Sequence, residues 1–111
     1  MARLDFARAA AFVAAVPKGR WTAYRDVAEA GGSPRGAQAV GDWLRRRGDE
    51  VPHVYRVLNV QGFVPEAFQP AGPGVPKDAS TVREVLRREG VSIDARGRAA
   101  QSQRFRVSDW S

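Results

Sequence analysis

The spacing of apolar residues along the chain predicts four helices. Apolar residues recur every three or four positions over residues 4–15, which predicts an amphipathic helix. The same period returns over residues 24–30, over residues 33–47 and between residues 78 and 90, so we predict three further helices there. Each segment is followed by a proline or a glycine, as helix ends commonly are.

Two of these helices meet at a tight turn. Thr22 is a good N-cap residue, so we expect it to begin the helix over residues 24–30. Gly31-Gly32 closes that helix, and Ser33-Pro34 opens the next one, with the serine as cap and the proline at the first helical position. Two short helices joined in this way are typical of helix-turn-helix DNA-binding proteins.

The second half of the chain predicts short strands around a loop. Residues 54–60 are β-branched and aromatic and alternate in character, which predicts a strand. A turn at Gln61-Gly62 would lead to a short returning strand at Phe63-Val64, and Phe105 with Val107 suggests a last one.

The loop and the C-terminal segment complete the prediction. Four prolines and two glycines between Pro65 and Lys77 predict a loop without regular structure. Residues 94–111 form a basic tail. We therefore predict a single domain over residues 1–111, of α+β class and mostly helical, resembling a winged helix-turn-helix with a short strand pair.

Charge favours an anionic partner. Eighteen Lys and Arg against twelve Asp and Glu give a net charge of +6, and sixteen of the eighteen are arginine. Codon preference could account for the total, but the clustering of Arg35, Arg45, Arg46 and Arg47 around one helix favours nucleic acid. No apolar run approaches the roughly 20 residues that span a membrane, so we expect a cytoplasmic protein with no membrane partner.

The chain contains no cysteine and one histidine. The composition therefore excludes disulfides, thiolate metal sites and thiol nucleophiles, and we expect neither a metal ion nor a cofactor. His53 has few polar neighbours in the sequence, which favours a surface histidine over a catalytic one. Trp21 is expected to be a core or rim aromatic rather than a stacking platform, and Trp43 is expected in the core.

Several short motifs together resemble the DNA-binding half of the O6-alkylguanine-DNA alkyltransferases. They are Val16-Pro17-Lys18-Gly19-Arg20, Thr22-Ala23-Tyr24, Val40-Gly41 with Leu44-Arg45, Tyr55-Arg56-Val57-Leu58-Asn59, and Leu86 with Glu89-Gly90. The likeness covers roughly residues 4–94. The enzymes carry an additional N-terminal domain. In size the chain is thus closer to the alkyltransferase-like proteins, which keep the fold, replace the cysteine and transfer no alkyl group.

The resemblance implies that the transfer chemistry is absent. The enzymes carry Pro-Cys-His-Arg, and alignment on Arg56 puts Val54 at the cysteine position and Tyr55 at that of the activating histidine. A valine has no lone pair with which to attack an alkyl carbon, so we predict no catalytic residue. We expect a lesion pocket formed by Val54, Tyr55, Arg56 and Glu89. Glu89 either accepts a hydrogen bond from the Tyr55 hydroxyl or serves structure alone, and we expect the second.

The resemblance also assigns two DNA-contacting residues. Tyr24 matches the family tyrosine that presses on a backbone phosphate and helps to rotate a nucleotide out of the duplex, although it could equally pack against the first helix. Gln38 matches the arginine that fills the space left by the flipped base. Glutamine lacks the charge and the stacking plane of arginine, which makes the cost of unstacking a base harder to offset.

Further phosphate contacts follow from the predicted third helix. Ser33 and Arg35 would lie beside the free N–H groups of its start, where phosphate binds readily. Arg45 and Arg46 would lie near its C-terminal end. A wall of the pocket is expected from the loop, with Phe63 or Phe68 as candidates.

Three functions remain open from the sequence. The resemblance favours a non-enzymatic, monomeric protein that binds double-stranded DNA in the minor groove, flips out O6-alkylguanine or similar base damage, and marks it for nucleotide excision repair proteins. A DNA-binding regulator or architectural protein that has lost lesion recognition is the alternative. A third candidate is a fold that now serves protein–protein contact.

Overall fold

A computed structural model describes residues 3–110. The helices within this range are α1 (Phe6–Ala15), α2 (Tyr24–Ala30), α3 (Ala37–Arg47) and α4 (Val82–Arg88). The strands are β1 (Thr22–Ala23) and β2 (Val57–Leu58), and single 3₁₀ turns lie at Gly48–Glu50, Val54–Arg56, Gln101–Gln103 and Val107–Asp109. The prediction of a mostly helical α+β fold with four helices is confirmed. No helix of residues 3–110 has the length and apolar character needed to cross a membrane.

The turn between α2 and α3 begins as predicted, but α3 starts later than predicted. Gly31 caps α2, and Gly32 adopts the left-handed conformation (φ 82°) that turns the chain towards α3. The prediction that Ser33-Pro34 opens α3 is wrong, because Gly36 is the cap and the helix begins at Ala37. The Gly36 N–H donates to the Ser33 carbonyl at 2.8 Å, so residues 33–36 form a separate turn before the helix.

The start of α2 also differs from the prediction. Ala23, rather than Thr22, is the N-cap residue, and the Asp26 carboxylate accepts the Ala23 N–H at 3.0 Å. Thr22 instead lies in β1, where it pairs with Val57 of the parallel strand β2. Its buried hydroxyl donates to the Phe105 carbonyl at 2.7 Å. Asp26, which lies inside the helix, therefore provides the cap, because Thr22 is occupied by sheet pairing and by its hydrogen bond to Phe105.

The predicted strand over residues 54–60 is mostly wrong. Residues 54–56 form a 3₁₀ turn, and only Val57 and Leu58 pair with β1. The expected return of Phe63 along that strand does not occur, because Phe63 forms an antiparallel bridge with Arg98 from the C-terminal segment. β-Propensity correctly indicated that part of this segment pairs in a sheet, but tertiary contacts decide which residues pair and with which strand.

The C-terminal segment is part of the packed fold rather than a loose basic tail. Phe105 stacks on Phe12 of α1 with ring centroids 5.4 Å apart, and its N–H donates to the Trp21 carbonyl at 2.6 Å. Trp110 meets the same Phe12 ring edge-on at 5.2 Å. The strand predicted at Phe105 and Val107 is wrong, because a 3₁₀ turn begins at Val107.

A buried ion pair fixes this segment to α2. The Arg104 guanidinium donates to both oxygens of Asp26, from Nε at 2.7 Å and from Nη2 at 3.0 Å. Both side chains are more than nine-tenths buried. Asp26 therefore caps α2 and neutralises Arg104 at the same time, so the end of the chain holds the beginning of the helix pair.

Apolar side chains gather in two buried clusters on either side of the short sheet. One joins α1, α2 and α3, and its members are Ala9, Phe12, Val13, Val16, Val27, Ala28, Ala30, Val40, Trp43, Leu44, Val51, Val57 and Phe105. The other packs α4 against β2, and its members are Trp21, Ala23, Tyr55, Leu58, Val64, Val82, Val85, Leu86, Val91 and Ala99. Trp21 lies in the core rather than at its rim, and the predictions that Trp43 lies in the core and that residues 65–77 lack regular structure are confirmed.

We predict that Asp26→Ala destabilises the protein by about 3–5 kcal/mol, because it leaves the Arg104 charge buried without a partner. Asp42→Ala is the matched control. Asp42 pairs with Arg45 at 2.8 Å on the surface, where such a pair contributes about 1 kcal/mol or less. Urea unfolding of both variants measures the free energies of unfolding. Equal losses in the two variants would show that the buried pair has no special role.

Candidate nucleic-acid interface

An open groove of about 970 Å³ runs beside the helix pair. Its walls come from α2, α3, the chain around β2 and the loop before α4. It brings together six of the ten site residues predicted from the sequence, which are Tyr24, Gln38, Arg45, Arg46, Val54 and Tyr55. The volume lies at the upper end of the range of small-molecule clefts, so a nucleotide base fits within it.

The α3 wall of the groove is narrow and basic. Gln38 is exposed in the first turn of the helix, and Gly41 faces the groove one turn later. A methyl group added at Gly41 would meet only the Arg45 side chain, at 3.8 Å. Glycine inside a helix costs about 1 kcal/mol relative to alanine, and no packing contact requires it here. Gly41 instead leaves the wall flat, which permits a close approach of another backbone.

The positive charge of the groove comes from three exposed arginines. Arg45 pairs with Asp42, whereas Arg25 and Arg46 have no salt-bridge partner among residues 3–110. Arg25 was missed in the sequence because it lies on α2, next to Tyr24, and outside the arginine cluster of α3. Its place directly after the predicted phosphate-contacting tyrosine was the available signal. The groove therefore presents cations from both helices.

Tyr24 begins α2 and contributes both to the core and to the groove. It is half-buried and packs against the cluster of α1, α2 and α3 while lining the groove. Burial raises the pKa of Tyr24, although the Arg45 charge acts in the opposite direction. The hydroxyl is thus protonated at neutral pH, and no hydrogen bond within residues 3–110 occupies it. It is free to donate to an anion in the groove.

Tyr55 is held in the opposite wall by a buried network. Its hydroxyl donates to Glu89 Oε2 at 2.6 Å. Arg56 donates to the same carboxylate from Nε at 2.9 Å and from Nη2 at 2.8 Å, and its Nη1 donates to the Val16 carbonyl at 2.7 Å. The prediction that Glu89 serves structure alone is therefore wrong, because its carboxylate does accept from Tyr55.

The network has a defined protonation state. Burial favours the neutral form of Glu89, but the hydrogen bonds from Arg56 and Tyr55 outweigh it and hold the pKa of Glu89 below its ordinary value. Burial, together with the hydrogen bond to Glu89, raises the pKa of Tyr55 to about 12. At neutral pH the network thus contains a carboxylate, a guanidinium and a neutral phenol.

The predicted lesion pocket divides into two layers. Val54 and Tyr55 line the groove, whereas Arg56 and Glu89 lie behind Tyr55 and outside the groove lining. Val54 is half-buried and leans on the chain at Gly48 and Gly72, where added methyl groups would meet its side chain at 3.5 and 3.4 Å. Arg56 and Glu89 therefore position the wall and do not form its surface.

Two predicted phosphate contacts lie away from the groove. Ser33 and Arg35 belong to the turn before α3, because the helix begins at Ala37 rather than at Ser33. The free N–H groups of the helix start are consequently three residues further along than predicted. Arg35 is exposed on this turn, and Ser33 is half-buried.

His53 is not the surface histidine that the sequence suggested. It is half-buried and adopts a left-handed backbone conformation (φ 63°) at the entry to the 3₁₀ turn of residues 54–56. Its ring lies against Gly74, where an added methyl group would approach Cδ2 to 2.8 Å. The Nδ1 atom is buried and has no hydrogen-bond partner among residues 3–110.

Comparison with known families settles the relationship of this fold. Residues 6–91 match the family described as "6-O-methylguanine DNA methyltransferase, DNA binding domain". The chain belongs to this family. The match agrees with the resemblance that the sequence motifs indicated over residues 4–94.

Two proteins named for base flipping are similar to this chain. The "DNA base-flipping protein" of Escherichia coli (strain K12) is 38% identical over 96 residues, which cover 85% of this chain and 67% of that protein. The protein of the same name from Shigella flexneri has the same identity and coverage.

Two crystal structures share the fold of this family member. One is S. pombe Atl1 in complex with damaged DNA containing O6-carboxymethylguanine, with a TM-score of 0.59 and 24% identity over 84% of this chain and 83% of that chain. The other is S. pombe ATL in complex with DNA, with a TM-score of 0.62 and 19% identity over 95% of this chain and 99% of that chain. At these identities the likeness establishes the fold.

Within this family member, we predict that Glu89→Gln lowers stability most at neutral pH, because the amide cannot neutralise the buried Arg56. Folding lowers the pKa of Glu89. Its contribution is therefore complete above the unfolded pKa of about 4.3 and is lost as the pH falls through the lower folded value. The difference between wild type and variant should shrink below about pH 4, as measured by urea unfolding across pH.

Glu50→Gln is the control for this titration, since Glu50 pairs with Arg47 on the surface and should change stability little at any pH. A difference between wild type and Glu89→Gln that stays constant into acid would contradict the assignment of the carboxylate as the titrating group.

Proposed function

We propose that this protein is a non-enzymatic DNA-binding protein that recognises O6-alkylguanine or similar base damage by nucleotide flipping and marks it for repair. The observation that carries the proposal is the single groove in which Tyr24, Gln38 and the arginines of the helix pair face Val54 and Tyr55. One cavity thus combines groups suited to phosphate with a pocket suited to a base. The 38% identical E. coli protein, named for base flipping, supports this reading.

Phosphate contact is assigned to the basic side of the groove. Arg25, Arg45 and Arg46 are exposed there and project beside the flat helix surface at Gly41. Arginine binds phosphate through two parallel hydrogen bonds, and each contact released by salt lowers the affinity for DNA. Arg35 and Ser33, on the turn before α3, are the candidates for a contact with DNA beyond the groove.

Flipping is assigned to Tyr24 and Gln38. The Tyr24 ring is anchored in the core, so its free hydroxyl can press on a phosphate without the side chain giving way. Gln38 is exposed at the start of α3 and would occupy the space that the base leaves. Glutamine provides neither a charge nor a stacking plane. Gln38 would therefore favour the flipping of bases whose pairing has already been weakened by damage.

The pocket is assigned to Val54 and Tyr55, and it supports binding without reaction. The resemblance puts Val54 at the nucleophile position, and a valine side chain cannot form the covalent bond that alkyl transfer requires. The Tyr55 hydroxyl donates to Glu89, which lies behind the groove wall, so its proton is not available to a bound base. We propose that a bound lesion stays chemically unchanged and that nucleotide excision repair proteins act on the complex, which contains one copy of this chain.

We predict at least about fivefold tighter binding to a duplex with one O6-methylguanine than to the same unmodified duplex. Fluorescence anisotropy across a salt series measures both affinities. General binding should weaken steeply with salt, since it depends on phosphate contacts. A preference under about twofold would refute lesion recognition and leave the alternative, a regulatory or architectural DNA-binding protein, which Gln38 favours.

We predict that Tyr24→Phe abolishes most of this preference without loss of stability, because the hydroxyl has no hydrogen-bond partner within residues 3–110. Tyr55→Phe is the matched control. It removes a buried hydrogen bond to Glu89 and should lower the free energy of unfolding by about 1–3 kcal/mol. A Tyr24→Phe variant with full preference would show that the hydroxyl does not push the phosphate.

A further inference from the structure

Phe68 is a large apolar side chain at the rim of the groove. Its exposed fraction is 51%, and it lines the same cavity as Val54 and Tyr55. An isolated exposed phenylalanine is ordinary on a protein surface. Phe68 differs because the groove on which it opens is basic, and because its backbone is fixed although it lies in a loop without regular structure.

Hydrogen bonds fix the backbone on both sides of the Phe68 side chain. Its carbonyl accepts the N–H of Val82, the first residue of α4, at 2.8 Å. Its N–H donates to the Pro65 carbonyl at 3.1 Å. The loop further along is also held, because an added methyl group at Gly72 would come within 2.8 Å of the Gly48 carbonyl. The backbone that carries the ring therefore has a defined position at the groove.

The same wall carries Tyr55. Val82, whose N–H donates to the Phe68 carbonyl, is 1% exposed and belongs to the buried cluster that contains Tyr55. The network of Glu89 and Arg56 holds Tyr55 from behind. Phe68 and Tyr55 thus both line the groove, and both are linked to the buried cluster around α4.

A basic groove with an exposed aromatic ring on a fixed backbone suits one class of occupant. Arginines attract the phosphate backbone, and an aromatic face stacks on a base that has left the double helix. A base inside the duplex offers no free face. The combination therefore points to an unstacked nucleotide rather than to an acidic peptide, which would not require a planar partner.

We propose that Phe68 is the stacking platform for the extrahelical base, a role that rests on the proposed function. The phenyl ring covers one face of the base while Val54 and Tyr55 form the adjoining wall. Because stacking requires only a π-face, Phe68 contributes affinity for any flipped base, and the selection of damaged bases comes from the ease of flipping.

The test compares variants of Phe68 with a matched variant of Phe63. Phe63 is 39% exposed, bridges to Arg98 and does not line the groove. We predict that Phe68→Ala weakens binding to the O6-methylguanine duplex by at least about fivefold and leaves binding to the unmodified duplex within about twofold. Phe63→Ala should change neither affinity by more than about twofold. Thermal unfolding verifies that each variant is folded.

Two conservative variants separate stacking from apolar contact. Phe68→Trp keeps a π-face and should retain the lesion preference, whereas Phe68→Leu keeps apolar volume and should lose most of it. Wild-type preference in Phe68→Leu would overturn the stacking role. A wild-type protein without lesion preference would overturn the proposed function itself, and preference in wild type that survives Phe68→Ala would overturn only this inference.

Discussion

The buried contact between Arg56 and Glu89 joins three distant parts of the chain. Arg56 reaches the carbonyl of Val16 at the end of α1, and Glu89 follows the last turn of α4. Burying either charge alone would be unfavourable, so each requires the other together with the remaining hydrogen bonds. Tyr55 donates a further hydrogen bond to the Glu89 carboxylate, and this bond holds Tyr55 in the wall of the groove. The contacts that neutralise the buried Arg56 and Glu89 charges consequently also fix the position of the candidate base pocket.

A second buried ion pair fixes the position of the opposite wall of the groove. Asp26 caps the start of α2 and binds Arg104, so the helix that carries Tyr24 is fixed by the C-terminal segment. The two walls of the groove are thus positioned independently, each by an arginine and a carboxylate far apart in sequence. Rigid walls matter for base flipping, because a side chain that moves easily cannot hold a nucleotide outside the stacked duplex.

The groove combines a family fold with chemistry of its own. Membership of the methyltransferase DNA-binding family accounts for the helix pair and for the order of the motifs. The chain has no cysteine, and Val54 lines the groove beside Tyr55, whose hydroxyl donates to Glu89. Under the proposed function, this pocket would hold a base without accepting its alkyl group. Recognition would then depend on how readily a base leaves the duplex and on what it stacks against afterwards.

The sequence by itself determined the local elements and the family. Apolar periodicity located the four helices and their buried faces, and motif spacing identified the DNA-binding fold, because both depend on residues close together in the chain. Sequence could not place Thr22 in the sheet or shorten the strand after Tyr55, since tertiary partners overrode the local preference. It also missed the separate turn of residues 33–36, which makes α3 begin at Ala37. Only the tertiary structure decided which predicted site residues share a groove and which lie behind it. The buried partners of Arg56 and Arg104 lie 33 and 78 residues away, and no local pattern encodes such pairings.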